Sequence, residues 1–163
     1  MSPLNAYIAR ESAIGSVINL VIGSAFFLVV FRGQSDPAVW GPGGLILDCV
    51  PQGFMIGLMS IIPAMLITRM RVAKGLSLPV PSQARSVLPS NPFLRGILVA
   101  LASMVCLVGV AAALAWATGA QSLPFWPAFV LKALPGIAVP WIVCPSAIKV
   151  ALAPRAAPVP ISS

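Results

Sequence analysis

The sequence predicts an all-α, polytopic integral membrane protein with four transmembrane helices. Three observations carry this: 59% of the 163 positions are apolar, only 8% are charged, and the apolar positions gather into long runs almost free of charge. An ordinary soluble domain holds about 45–50% apolar and about 25% charged residues. Too little polar surface exists here to clothe a water-facing shell, so apolar side chains must face lipid. A mean hydropathy of +1.00 agrees.

A helix needs about 20 residues to cross about 30 Å of hydrocarbon, and each of the four runs meets that length. The first, 13–31, carries no charge and is bracketed by Arg10 and Glu11 before it and Arg32 after it. It is longer than the apolar core of a cleaved signal peptide and no Ala-x-Ala site follows, so it reads as a retained span. No lipidation motif is expected, because Ser2 stands where a myristoylated Gly would be and the last residues, from Pro160 to Ser163, lack a Cys. The second run, 45–68, carries Asp48 near its start and stops at the basic cluster Arg69, Arg71 and Lys74. The third, 96–118, is free of charge after Arg95, and the fourth, 125–150, holds Lys132 near its start and Lys149 at its end. Backbone in lipid must bond to itself, and runs this uniform do not alternate as barrel strands, so all four are predicted helical.

Residues 1–150 thus form a single transmembrane domain with a linker at 69–95, followed by a tail at 151–163. Pro79, Pro81, Pro89 and Pro92 interrupt the linker, which reads as mobile, and Pro154, Pro158 and Pro160 leave the tail with no core, so disorder is expected there. Lys and Arg mark the cytoplasmic side of a membrane protein. Arg10, the linker cations and Lys149 and Arg155 fall on one side, against Arg32 on the other, which predicts cytoplasmic N and C termini. Trp40, Trp116 and Trp126 fall near the opposite ends of the spans, where an aromatic belt would lie. With no organelle signal, the expected location is a bacterial inner membrane. The net charge of +7 follows from this topology, and no nucleic-acid motif accompanies it.

The two halves echo each other. Asp48-Cys49-Val50-Pro51-Gln52-Gly53 opens the second span and Lys132-Ala133-Leu134-Pro135-Gly136 lies near the start of the fourth, each preceded by a short connection with a Trp in it or close beside it. Two explanations stand: a duplicated two-helix hairpin, or the common composition of proline-bearing apolar helices. A duplication would be parallel, since each copy has an even number of spans.

Asp48 and Lys132 sit at similar depth, each three residues before a proline. They read either as an ion-paired gate or substrate-binding pair, or as two charges that reach separately to the interface. Asn19 near mid-membrane is a candidate site ligand or a polar clasp between helices. Gly15 and Gly23 around Asn19, and the GxxxG of Gly53 and Gly57, form the small-residue stripes that let helices close on one another in lipid. Pro135, Pro140 and Pro145 each remove a helical hydrogen bond, so the fourth helix is expected to be kinked or partly unwound.

The sequence has no His, three acidic residues and three Cys without a CxxC pair. That argues against an enzyme and predicts no cofactor and no metal. The expected class is a small transporter or channel subunit for a small solute or ion. Its expected partners are the lipid bilayer and either further copies of itself or another membrane protein, with no nucleic acid. The rival class is a non-transporting partner or assembly protein that packs through its Gly and Ala faces.

Overall fold

The computed structural model describes residues 2–79 and 87–153. The linker segment 80–86 with Arg85, and the tail 154–163 with Arg155, lie outside the described residues. The described chain is all-helical: α1 (Pro3–Val30), α2 (Leu45–Ala73), α3 (Pro92–Thr118) and α4 (Phe125–Leu152). All four are long and apolar enough to cross a membrane. An isolated antiparallel bridge, Ala38 with Ser122, is the sole β feature among the described residues.

The helices outrun the apolar runs that predict them. Each has 27 to 29 residues, which is about 40 Å at 1.5 Å per residue and longer than the hydrocarbon layer. The extra turns carry the flanking charges. Helix α1 begins ten residues before the predicted start because Ser2 Oγ accepts from Asn5 N and Pro3 occupies its first turn. Helix α3 begins four residues early for the same reason, with Asn91 Oδ1 accepting from Phe93 N at 2.9 Å and Leu94 N at 3.4 Å, and Pro92 next. Helix α2 runs on through Arg69 and Arg71, so these two residues of the expected linker are helical. Gly119 closes α3 in the left-handed region at φ 67°, a conformation that favours glycine.

Helix α4 is not unwound. It is assigned as one helix from Phe125 to Leu152 through Pro135, Pro140 and Pro145. Neighbouring helices feed donors into it next to the carbonyls that two of these prolines release. Pro135 frees the Leu131 carbonyl, and Gln52 Nε2 donates to the adjacent Lys132 O at 2.6 Å. Pro140 frees the Gly136 carbonyl, and Ser16 Oγ donates to the adjacent Ile137 O at 2.9 Å. These donors tie α4 to its neighbours beside the prolines, and contacts with neighbouring helices are what make proline tolerable in a membrane helix.

The two hairpins interlock. Helix α2 packs mainly on α3 and α4, and α1 mainly on α4, whereas the partners within each hairpin, α1 with α2 and α3 with α4, touch far less. In this reciprocal scheme the second helix of each hairpin lies against the first helix of the other. The loops meet as well, with Val39 N donating to Gln121 O at 2.9 Å and Leu123 N to Pro37 O at 3.1 Å. Beneath them Phe27, Phe31, Phe125 and Phe129 pack into an aromatic cluster with Val39, Leu45, Ala115 and Ala128. The end that carries these loops is called the hairpin end below, and the opposite one the basic end.

Small residues set the helix spacing. A Cβ on Gly57 would lie 2.6 Å from Ala100 Cα, and one on Gly53 2.7 Å from Met104 Cα, so α2 and α3 meet backbone to backbone. Gly15 faces Pro140 of α4 with ordinary contact. Gly23, expected to continue that stripe, meets nothing within 4 Å. One turn on, the Phe27 and Phe129 rings, 5.6 Å apart, fill the space between α1 and α4 and hold their backbones apart.

Candidate functional site

Buried polar groups gather at three levels along α2. Nearest the hairpin end, Lys132 Nζ lies 2.6 Å from Asp48 Oδ2, with side chains only 7% and 9% exposed. Asp48 stands in the first turn of α2, where the helix dipole favours an anion. Lys132 is the eighth residue of α4, about 10 Å from its start. Its ammonium has three donors. One serves the ion pair, and two long contacts of 3.5 Å run to Leu45 O and Cys49 Sγ. Gln52 ties the Lys132 backbone to α2, and its own Oε1 is buried without a hydrogen-bond partner among the described residues.

At the middle level Asn19 Nδ2 donates to Ser60 Oγ at 3.0 Å, and that hydroxyl donates to Ile56 O at 2.6 Å. Cys144 Sγ donates to Ser60 O at 3.2 Å, so α1, α2 and α4 meet at one residue of α2. Asn19 is 4% exposed and acts here as a clasp. Interhelical hydrogen bonds in membrane proteins contribute about 0.6 kcal/mol on average and about 1.7 at most. Asn19→Leu is accordingly expected to lower stability in detergent by about 1 kcal/mol, read as a small downward shift in the thermal transition. A loss of folded protein would show the clasp to be a structural keystone instead.

At the basic end Glu11 of α1 pairs with Arg71 of α2. Arg71 Nη1 also donates to Tyr7 Oη at 3.0 Å, its guanidinium lies 5.5 Å from the centre of the Tyr7 ring, and Tyr7 Oη is 3.1 Å from Thr68 Oγ1. Arg95 of α3 is fully buried. It donates to Ser146 Oγ at 3.1 Å and makes contacts of 3.4 Å to Leu88 O and Pro89 O, and its Nε has no partner among the described residues. Arg69 donates to Ser90 O. Residues 88–90 of the expected mobile linker are therefore held to the helices by two guanidiniums. In the sequence these cations read as topology marks only. The spacing of Tyr7 with Glu11, four apart, and of Thr68 with Arg71, three apart, places each pair on one helix face, which is the signal that could have found this level.

The levels are not joined. Asp48, Ser60 and Arg71 are about 18 Å and then about 16 Å apart along α2, and Ile56, Ile61, Ala64 and Met65, all buried, separate them. Beside the ion pair lies a cavity of about 620 Å³ between α2, α3 and α4, with apolar walls apart from Thr118, Cys49 and Lys132. A second space of about 410 Å³ continues along α3 past Cys106 and Ser103 to Val99. The two share Leu107, Val110 and Pro135.

Of the residues singled out in the sequence, the structure brings Asp48 and Lys132 together and places Asn19 at a separate level. As a pair the two charges are neutral and their burial is tolerable. Apart, either one is a bare charge in a low dielectric, which costs several kcal/mol. Comparison with protein-family models, curated proteins and solved structures finds no match.

Proposed function

We propose that this chain is a transporter or channel subunit for a small solute or ion, in which the Asp48–Lys132 pair is the charged element of a gate. The observation that carries this reading is the ion pair itself. Charges within membrane spans are expensive and are seldom kept without a task, and here both are buried and joined across the two hairpins. The closed apolar layers beneath it fit a resting state. The polar levels are separated by buried apolar side chains and the cavities have mostly apolar walls, which supports a working form that is an oligomer or includes a membrane-protein partner. Arg10, Arg69, Arg71, Lys74, Arg95 and Lys149 lie toward the basic end, with Arg32 toward the other. That bias supports a cytoplasmic basic end in a bacterial inner membrane, with the ion pair toward the outer leaflet.

The test is flux through purified protein in phosphatidylcholine vesicles, with protons, sodium, potassium, chloride and small organic acids as probes. At least one probe is expected to move faster than in empty vesicles, and Asp48→Leu/Lys132→Met, which removes both charges together, to change its rate while folded protein is still recovered. If no probe moves and mild detergent yields a constant companion protein, the reading as a gate falls and the rival, a non-transporting assembly partner, takes its place. Helix α3, the least buried of the four, would then be the face to map.

A further inference from the structure

We infer that the cavity beside the ion pair is a binding site for a single-chain amphiphile with a carboxylate head, entered sideways from the bilayer between α3 and α4. The inference rests on the reading of Asp48–Lys132 as the working element and adds the class of molecule that engages it. The volume, about 620 Å³, is that of a small-molecule site, and such sites are mostly apolar with a few placed polar groups. Here the wall includes Lys132 and Cys49 but not Asp48, so Lys132 is the member of the pair that reaches the cavity.

The ammonium has donors to offer. Its contact to Leu45 O, at 3.5 Å, is at the outer limit of a hydrogen bond, and the one to Cys49 Sγ, also at 3.5 Å, goes to a weak sulfur acceptor. A carboxylate head can take both in place of those contacts, and charge assistance strengthens the exchange. No proton transfer or bond breaking is involved. Entry needs no opening of the bundle. Helices α3 and α4 barely touch, and Val110, Leu114, Leu131 and Leu134 line the cavity while staying exposed to the bilayer side.

Depth selects the head group. Lys132 lies about 10 Å from the start of α4, and its ammonium is enclosed by Asp48, Leu45 and Cys49, so a phospholipid would have to desolvate its whole headgroup to reach it. A lone carboxylate on one chain sinks far less polar surface.

The experiment uses the full chain in phosphatidylcholine nanodiscs and a twelve-carbon carboxylate carrying a diazirine near its methyl end. Photolabelling is expected on the 107–138 segment. Unlabelled dodecanoate is expected to displace the probe at about tenfold lower concentration than dodecanol or dodecylammonium, as one charge-assisted contact implies. Ala111→Trp, which fills the cavity wall, should abolish labelling. Asp48→Leu/Lys132→Met should keep labelling but lose the preference for acid over alcohol, which serves as the second variant if Ala111→Trp does not fold.

Equal displacement by dodecanol would overturn the inference and leave a slot for bilayer acyl chains. Better displacement by dodecylammonium would assign recognition to Asp48, and displacement by phosphatidylglycerol in the disc would assign the site to a lipid headgroup. Either result contradicts the inference, as does labelling elsewhere. The readout is independent of flux. Binding without flux would sink the transport reading and keep the site, and flux without binding would do the reverse.

Discussion

Asp48→Leu and Lys132→Met are each expected to destabilise the protein by about 3–5 kcal/mol, while the two together bring stability back to within about 1 kcal/mol of the parent or above it. The asymmetry comes from desolvation. With both side chains less than a tenth exposed, removing one leaves the other as an unpaired charge among Leu45, Cys49 and the apolar cavity wall. Removing both deletes two desolvation penalties along with one attraction, and apolar replacements suit the surroundings. Thermal unfolding in detergent of the parent, the two single variants and the double variant measures the coupling between the sites. Additive effects would mean that the two charges do not meet in the folded protein.

Gly57→Ala is expected to cost about 1–3 kcal/mol, and Gly57→Leu more, enough to lose folded protein. The added Cβ would meet Ala100 Cα at 2.6 Å. The obstacle is backbone, which cannot swing aside as a side chain can. Helices α2 and α3 would have to separate along the surface where α2 packs most extensively. Gly109→Ala in α3 is the control, because a Cβ there meets nothing within 4 Å. It is expected to leave stability within about 1 kcal/mol of the parent, on the stabilising side. Similar losses at both positions would show that α2 and α3 do not pack through Gly57.

The positions of the four helices were legible because lipid imposes a simple length-and-charge rule on the sequence. Their ends were not. Glu11, Arg71 and Arg95 resemble interfacial stops, yet the helices run through them because each finds a partner: Glu11 with Arg71, and Arg95 with Ser146 and two carbonyls. Such partners come from distant segments and leave no local trace. The matched depth of Asp48 and Lys132 could be read from their equal distance to a proline. Gln52 could not be read as the residue that bonds the α4 backbone, since that contact depends on which helices are neighbours. The interlocking of the hairpins decides this, and hydropathy carries no information about it. Gly23 shows the limit of stripe reading, because four-residue spacing holds along α1 while the aromatic cluster around Phe27 ends the close approach.

In the proposed function the ion pair serves passage across the membrane and not the stability of the bundle. Flux through vesicles containing Asp48→Leu/Lys132→Met tests it most directly, since that variant is expected to fold as well as the parent. The predicted result is intact, monodisperse protein with flux reduced about tenfold or more, a loss of about 1.4 kcal/mol in the barrier-setting step. Flux equal to that of the parent in a properly folded double variant would contradict the claim.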